Sequence, residues 1–527
     1  MPPEVVPGVV EHPELDTGPT AHPELDSREV SRLAMRGVGV LMLRSLAQRG
    51  LQMAGNILLA RWLAPTTFGL YAVISFLVGI AGFLSDLGVG ASLVQRRERL
   101  TDSDLKAAFT LSLGLNAIAV AALWAISPLL VRIYDAPEAI MTIRALALTI
   151  FLGTFAQIPA VVLERALQFK ALAVAELSGQ VAYLSVALTM AFPYWRQPGL
   201  AEERAASAVW IFVYATLASR AVHAIIVNLR SPWRPGLSTE PERMRRLLAF
   251  GLPFQLNGLI NALKDNFIPI FIALVVGARA TGYVVWAVGL VTNALVLMPI
   301  VSKVAFPAYS RLQHDMKALK VAIETSIRLV AMTVIPAALF LAAFARQIVE
   351  HVYVPKWEPA LPTVYLLLIP MIHASYSTVC VSALYGVGRA KTVLRLTLVW
   401  AIAGWALGIP LTLAVGMHGF AIAMSIVSWL SFMSVRAINK VVKISFIPDL
   451  LRITFIAAVP ASVCAIASAA FVHDAWQLLA LAIAGGIAYL SGLWLSGDLK
   501  MVLKLVQHSR KPHPQPIVAT QVVTENA

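Results

Sequence analysis

Long apolar segments recur along almost the whole 527-residue chain. Each segment has about 20 residues or more, which is the length that an α-helix needs to cross the hydrocarbon core of a bilayer. Hydrophobic residues make up 58% of the sequence and charged residues only 13%, so a water-soluble fold could not bury the apolar surface. The sequence therefore predicts an all-α integral membrane protein with about 14 transmembrane helices. They are expected at residues 37–63, 68–94, 107–131, 139–163, 171–193, 206–229, 247–275, 280–302, 321–345, 357–386, 392–416, 418–435, 453–472 and 475–496.

The basic residues are distributed unevenly between the two ends of the predicted helices. Most of the 42 Lys and Arg residues lie in the terminal tails and in the loops that follow even-numbered helices. In the loops after odd-numbered helices, and at the helix ends beside them, they are limited to Arg61, Arg132, Arg196, Arg204, Arg279, Arg346 and Lys356. Because cytoplasmic loops are enriched in Lys and Arg, both termini are expected in the cytoplasm. Much of the net charge of +14 then reflects orientation, and no nucleic-acid partner is expected.

The tails, the cysteines and the outward loops contain no recognisable catalytic or metal-binding motif. Residues 1–36 and 498–527 are expected to be polar cytoplasmic tails, the first of them disordered. No cleavable signal peptide is recognised. The two cysteines, Cys380 and Cys464, lie in apolar segments without a CxxC spacing, so neither a disulfide framework nor a metal site is predicted. The outward loops are short and carry no nucleotide, metal or catalytic motif, so the sequence predicts no enzyme and no cofactor.

One internal repeat relates the two halves of the chain. Ala64 and Gly69 align with Gly277 and Gly282 at an offset of 213 residues (277 minus 64), each pair in a tight turn between two predicted helices. The first helix gathers its polar side chains on one face, and the seventh repeats the pattern. These stripes consist of Arg44, Ser45, Gln48, Arg49, Gln52 and Asn56, and of Asn257, Asn261, Lys264 and Asp265.

Polar side chains that face lipid are costly, so the two stripes are expected to face a shared cavity. Hydrogen bonding that only holds the helices together is the alternative. Arg144, Arg328 and Arg395 lie near helix ends and are interpreted as reaching the lipid head groups. Arg220 is deeper and is assigned to the cavity or to an internal ion pair. His373 and Tyr376 are interpreted as a packed polar pair.

Short motifs occur between residues 35 and 440, at 59–71, 86–88, 93–96, 168–170, 250–253, 277–283, 306–312 and 386–389. These motifs resemble the bacterial polysaccharide transporter family, the Wzx-type flippases of the multidrug, oligosaccharidyl-lipid and polysaccharide (MOP) superfamily. The resemblance implies two six-helix lobes in a V like that of the multidrug extruders, at residues 37–246 and 247–440, followed by two helices within 441–497. Ile268 departs from relatives that carry an acid or amide there.

The resemblance also implies a function. With more cations than anions inside its helices, the cavity would suit the diphosphate or uronate groups of an undecaprenyl-diphosphate-linked oligosaccharide. The expected activity is flipping or export of this cargo across the bacterial inner membrane for exopolysaccharide, capsule or lipopolysaccharide O-antigen, by alternating access. Membrane lipid and polymerase or export proteins are the expected partners. Asp86 and Glu176 are candidates for binding a coupling H⁺ or Na⁺; alternatively, Asp86 caps the second helix.

Two other activities of the same fold remain open. A drug or cation antiporter would have a cavity dominated by carboxylates or aromatic side chains. A lipid II flippase would differ in its genetic requirement, because its loss would be lethal.

Overall fold

The computed structural model describes residues 27–95, 100–133, 139–197, 199–249, 271–295, 298, 305 and 308–500. Every regular element among these residues is helical. Eleven of their helices are long and apolar enough to cross a membrane. The predicted all-α membrane fold is therefore confirmed. The number 14 stays a prediction, because most of the seventh expected helix lies outside the described residues.

Eight described helices precede residue 231. They are α1 (Ser27–Trp62), α2 (Pro65–Asp86), α3 (Val89–Gln95), α4 (Asp102–Ile133), α5 (Ala139–Arg165), α6 (Phe169–Arg196), the single turn α7 (Leu200–Glu203) and α8 (Ala205–Arg230). The second half contributes α9 (Ala278–Ala294), α10 (Met316–Gln347), α11 (Leu361–Gly386), α12 (Ala390–Val415), α13 (Met417–Ser428), α14 (Phe432–Asn439), α15 (Ile447–Phe471) and α16 (Ala475–Leu495).

Two helix boundaries differ from the sequence expectation for local reasons. Helix α1 begins at Ser27, inside the expected tail, because no Pro or Gly separates Pro23 from Gly37 and good helix formers fill the interval. The second expected helix is divided into α2 and α3. The break lies at Leu87 and Gly88, whose φ angles of 42° and 68° are left-handed and cannot continue a right-handed helix.

Compact unit 1 comprises residues 1–293, 352–370 and 397–430. Within it α6 packs along both α1 and α8, and α5 packs against α4 and α8. The loop after α8 is bound to the start of α4 by a hydrogen bond and an ion pair. Trp233 is fully buried and its Nε1 donates to Asp102 Oδ1 over 3.0 Å, while Arg243 Nη1 pairs with Asp104 Oδ1 at 2.6 Å. Arg243, one of the basic residues in the loops after even-numbered expected helices, therefore also makes an ion pair that holds this loop in place.

Compact unit 2 comprises residues 294–351, 371–396 and 431–527. Here α15 packs against α10 and α16, and the Tyr489 hydroxyl donates to the Met332 carbonyl over 2.7 Å. The carboxylate of Asp498 is fully buried and pairs with both Arg328 and Arg452. Arg328, interpreted from the sequence as reaching head groups, thus makes an ion pair inside this unit.

The pair that His373 and Tyr376 form is also part of unit 2. Both side chains are buried, and their ring centroids are 5.9 Å apart. Phe432 contacts both rings. The division into two lobes at residues 246 and 247 stays a prediction.

Candidate functional site

A cavity of about 740 Å³ opens inside unit 1, among α1, α2, α6, α8 and α9. Three residues of the polar stripe of α1, Gln48, Gln52 and Asn56, line it. They are spaced four residues apart, which keeps them on one helix face. Because this row lines a cavity, its amides do not have to face lipid, where unpaired polar groups are costly.

One end of the cavity lies beside the turn between α1 and α2, and we call it the turn end. The start of α8 is there, since Thr67 Oγ1 donates to the Ala205 carbonyl over 3.0 Å. The end of α6 is also there, with the rings of Trp62 and Trp195 6.5 Å apart. The start of α9 is the third neighbour, because Gly282 lies against the Pro65 carbonyl. Depth in the cavity can therefore be measured along each helix from this end.

Aromatic side chains form a layer next to the turn end. The aromatic layer consists of Phe68, Tyr71, Tyr183, Phe212, Trp286 and Tyr353. The rings of Tyr71 and Phe212 are stacked at 4.7 Å, and Phe68 contacts Phe212 edge-on at 5.2 Å. Burial raises the pKa of the Tyr353 phenol to about 12, so this group remains a neutral hydroxyl at physiological pH. No charged side chain lies in this layer among the described lining residues.

Charged side chains line the cavity farther from the turn end. Arg220 follows Phe212 by eight residues on α8, which places it about 12 Å deeper. Glu176 precedes Tyr183 by seven residues on α6, about 10 Å deeper, and its Oε1 accepts a hydrogen bond from Arg44 Nη1 at 2.9 Å. Within the described part of the chain, Arg220 makes no ion pair. The arginine that remains gives this deeper layer a positive character.

The turn end is closed by a contact between two glycines of the internal repeat. A Cβ built on Gly69 would lie 1.8 Å from the Ala278 carbonyl oxygen, and one built on Gly282 would lie 1.9 Å from the Pro65 oxygen. Ala278 and Gly282 are the 213-residue repeats of Pro65 and Gly69, so the contact is reciprocal. Only glycine lets the two backbones approach this closely.

Trp357 closes the same end from another direction. Its ring is fully buried and stacks on Trp286 at 5.1 Å. The indole Nε1 donates to the Ala60 carbonyl over 2.9 Å, and the neighbouring Lys356 donates to the Arg61 carbonyl over 3.0 Å. The segment before α11 is therefore attached to the last turn of α1.

A side cavity of about 460 Å³ lies between α2, α4, α5 and α8. It contains Asp86, which accepts a hydrogen bond from Gln157, and Asn116, which donates to Thr154 over 2.8 Å. Tyr71, Ser75, Thr216 and Arg220 line both cavities. Arg220 is thus the charged group that faces the main cavity and the Asp86 carboxylate's cavity alike.

The structure brings part of the predicted site together. Gln48, Gln52, Asn56, Arg220 and Glu176 line the main cavity, and Arg44 is attached to it through Glu176. Arg49 is half-buried on α1 and is absent from the described lining. The predicted residues of the second stripe, Asn257, Asn261, Lys264 and Asp265, lie outside the described residues.

The aromatic layer was not predicted from the sequence. Neither was His223, which lines the deeper part of the cavity together with Arg220 and Glu176. In apolar helices a Phe or Tyr that faces a cavity has the same sequence pattern as one that faces lipid. The internal repeat gives no signal for them either, because at the offset of 213 residues Tyr71 aligns with Val284 and Trp286 with Val73.

A family model described as polysaccharide biosynthesis protein matches residues 58–362, more than half of the chain. The lipopolysaccharide biosynthesis protein WzxC of Escherichia coli (strain K12) is 25% identical over 61% of this chain and 63% of its own length. The teichuronic acid biosynthesis protein TuaB of Bacillus subtilis (strain 168) is 25% identical over 55% of this chain and 58% of its own. The chain thus spans about three fifths of these two relatives.

Two solved structures show the same fold. The lipid II flippase MurJ in an inward closed conformation aligns with a TM-score of 0.69 at 13% identity, covering 87% of this chain and 99% of MurJ. An inward-facing multidrug resistance MATE family transporter of the MOP superfamily aligns with a TM-score of 0.57 at 16% identity, covering 77% and 95%.

Proposed function

Because the protein belongs to the polysaccharide biosynthesis protein family, we propose that it moves a lipid-linked oligosaccharide across the bacterial inner membrane. The products served would be exopolysaccharide, capsule or O-antigen. The printed names of WzxC and TuaB, which refer to lipopolysaccharide and teichuronic acid biosynthesis, support a saccharide cargo. The activity is transport, without covalent chemistry on the cargo.

The cavity in unit 1 is the observation that carries this proposal. It places Gln180 of α6 and Arg220 of α8 inside helices that otherwise have the composition of membrane spans, next to the row of amides on α1. An arginine forms paired, charge-assisted hydrogen bonds with phosphate oxygens and stays charged in a water-poor site. The proposed cargo site comprises Arg44, Gln48, Arg49, Gln52, Asn56, Arg220, Asn257, Asn261, Lys264 and Asp265.

The orientation of the chain gives the closed end a role. With both termini in the cytoplasm, the turn between α1 and α2 faces the extracytoplasmic side. The contacts of Gly69 with Ala278 and of Trp357 with Ala60 then block release of cargo on that side in this conformation. Alternating access requires these contacts to break when cargo leaves and to re-form afterwards.

Asp86 and Glu176 are proposed to couple transport to H⁺ or Na⁺. The side cavity supports this role for Asp86, because it holds a carboxylate among amide and hydroxyl groups and shares Arg220 with the main cavity. A cation that binds at Asp86 would compete with the attraction between this carboxylate and Arg220. Cargo binding at Arg220 would then respond to occupancy of the side cavity.

A drug or cation antiporter is the second candidate, and the aromatic layer is the observation that favours it. Aromatic faces attract organic cations. However, the carboxylate of Glu176 is already neutralised by Arg44, whereas Arg220 makes no ion pair within the described residues. The positive charge that remains would repel a cationic drug, so the saccharide transporter is preferred.

The test is a deletion strain complemented with the wild type, with Arg220→Ala, and with Arg395→Ala as a matched control on α12, where the arginine is exposed. Surface polymer and the lipid-linked oligosaccharide on each membrane face are measured at equal protein levels. We expect the deletion and Arg220→Ala to lose polymer and to accumulate the intermediate on the cytoplasmic face, and Arg395→Ala to restore both. Normal polymer with increased sensitivity to cationic drugs would support the antiporter, and lethality of the deletion would support a lipid II flippase.

A further inference from the structure

The aromatic layer contains a buried hydrogen-bond donor without a partner. Trp286 lines the cavity and is only 8% exposed, yet its Nε1 has no hydrogen-bond partner among the described residues. Buried indole N–H groups normally find an acceptor, because a buried donor without one has lost its hydrogen bond to water and gained none in return. Because Trp286 lines the cavity, a ligand bound there can supply the acceptor that the described residues do not provide.

The Trp286 ring is held in place by its neighbours. Trp357 stacks on it at 5.1 Å with an interplanar angle of 20°, and Tyr353 contacts it edge-on at 5.0 Å. Because the ring is fixed on both contacts, the Nε1 group cannot easily turn toward a protein acceptor. The arrangement resembles a preorganised donor more than a packing defect.

A second unpartnered group lies about one helical turn from Tyr71 of the aromatic layer. The Oγ of Ser75 on α2 is buried, lines both cavities and has no partner in the described part of the chain. By contrast, the hydroxyls of Tyr71 and Thr216 beside it are hydrogen-bonded to each other at 2.7 Å, and Thr216 Oγ1 also donates to the Phe212 carbonyl. Among the buried side-chain polar atoms of the described lining residues, Trp286 Nε1 and Ser75 Oγ are the two without a partner.

The chemistry of the layer selects among ligands. A pyranose ring offers apolar C–H faces, which pack on aromatic rings, and hydroxyl oxygens, which accept from an N–H. An organic cation would also pack on the rings, but an ammonium group has no acceptor for Trp286 Nε1. An anionic group would find no cationic side chain among the described residues of this layer.

We infer that the aromatic layer is a subsite for an uncharged sugar ring, which Trp286 and Ser75 bind through hydrogen bonds to its oxygens. The inference rests on the proposed function and adds an orientation of the cargo. The sugar lies toward the turn end, and the diphosphate lies toward Arg220, about 12 Å deeper along α8. Gln52 and Asn56 lie between the two on the wall of α1 and face the intervening hydroxyls.

The experiment compares two kinds of probe by isothermal titration with the purified full chain in detergent. One kind is a short polyprenyl diphosphate alone, and the other is the same lipid carrying a neutral hexose or N-acetylhexosamine. Trp286→Phe keeps an aromatic ring and removes the donor, and Ser75→Ala removes the hydroxyl. Trp195→Phe, at a half-exposed indole outside the cavity lining, is the matched control.

We expect Trp286→Phe and Ser75→Ala each to weaken binding of the sugar-bearing probes about fivefold, the effect of one lost hydrogen bond. Binding of the sugar-free lipid diphosphate stays unchanged, whereas Arg220→Ala weakens both probes. Thermal unfolding of each variant establishes that it is folded. The inference is overturned if both variants leave the sugar-bearing probes unaffected, if they weaken both probes equally, or if the wild type binds no sugar-bearing probe. Polymer loss in the deletion strain is independent of these outcomes, so the two proposals fail separately.

Discussion

Substituting Gly69 with alanine tests the closure of the turn end. The added Cβ would lie 1.8 Å from the carbonyl oxygen of Ala278, and the next atoms, including Gly282 N, lie at 2.8 Å. A carbon normally approaches a carbonyl oxygen no closer than about 3.3 Å, so α2 and α9 must separate by about 1.5 Å at this point. The atoms in the way belong to the backbone, and no side-chain rotation relieves the clash.

The free-energy cost of the added methyl group can be estimated. Inserting a methyl group into a well-packed contact destabilises it by about 1–3 kcal/mol. Since each 1.4 kcal/mol is a tenfold change in an equilibrium constant, a loss of about 2 kcal/mol shifts the equilibrium between the closed and separated turn end about 30-fold. Gly282→Ala is expected to have the same effect, because the contact is reciprocal, and the double variant is expected to cost less than the sum.

The assay is reaction of a cysteine at Thr281, which is fully buried beside Gly282, with a membrane-impermeant thiol reagent. The buried Cys380 and Cys464 are first replaced by alanine. Gly69→Ala should raise the rate of labelling at Thr281→Cys about 30-fold at most and lower the midpoint of thermal unfolding. Gly79→Ala on the same helix is the control, because no atom lies within 4 Å of its added Cβ. If both substitutions give the same labelling rate and the same midpoint, the glycine contact does not hold the turn end closed.

Three further predictions concern ion pairs. Arg44→Ala and Glu176→Ala should each lower the midpoint of thermal unfolding, and a double-mutant cycle should give a coupling energy of about 1 kcal/mol between the two residues. A coupling energy of zero would show that this ion pair does not stabilise the protein. Asp498→Asn should destabilise unit 2 by about 3 kcal/mol in denaturant unfolding, because Arg328 and Arg452 both lose a buried partner. Asp449→Asn should cost less, because Asp449 makes its ion pair with Arg452 and attracts Arg328 only at longer range. Arg243→Gln should lower the free energy of unfolding by about 1.5 kcal/mol, because buried Asp104 loses this partner. Arg245→Gln makes the same change in net charge and should leave the free energy of unfolding unchanged. Equal unfolding midpoints for the two variants would show that only the net charge matters.

Much of the architecture follows from the sequence because a bilayer imposes strict local rules. Helices α4, α5, α6 and α8 lie where apolar segments of sufficient length predict them, since backbone groups in lipid must be satisfied within the helix itself. The break at Leu87 and Gly88 was not predicted. It depends on two consecutive left-handed residues, and a leucine gives no signal of such a conformation.

The candidate site was predicted where its signal is local. Gln48, Gln52 and Asn56 are polar, share one face of an apolar helix and line the cavity. Arg44 was expected to bind cargo, but its partner Glu176 lies 132 residues away in sequence, and their ion pair depends on how α1 packs against α6. The same holds for Trp286, whose missing partner can be recognised only once its neighbours are in place.

The sequence by itself determined that this chain crosses a membrane many times as helices, where α4, α5, α6 and α8 lie, and that a polar stripe runs along one face of α1. Those properties depend on helix length, hydropathy and 3.6-residue periodicity, which act over short distances along the chain. Only the tertiary structure decided that aromatic rings and charges occupy different depths of the cavity, and that Gly69 meets the turn that repeats it 213 residues later. These features arise from contacts between distant helices, and a helix surface of apolar residues is compatible with many such contacts.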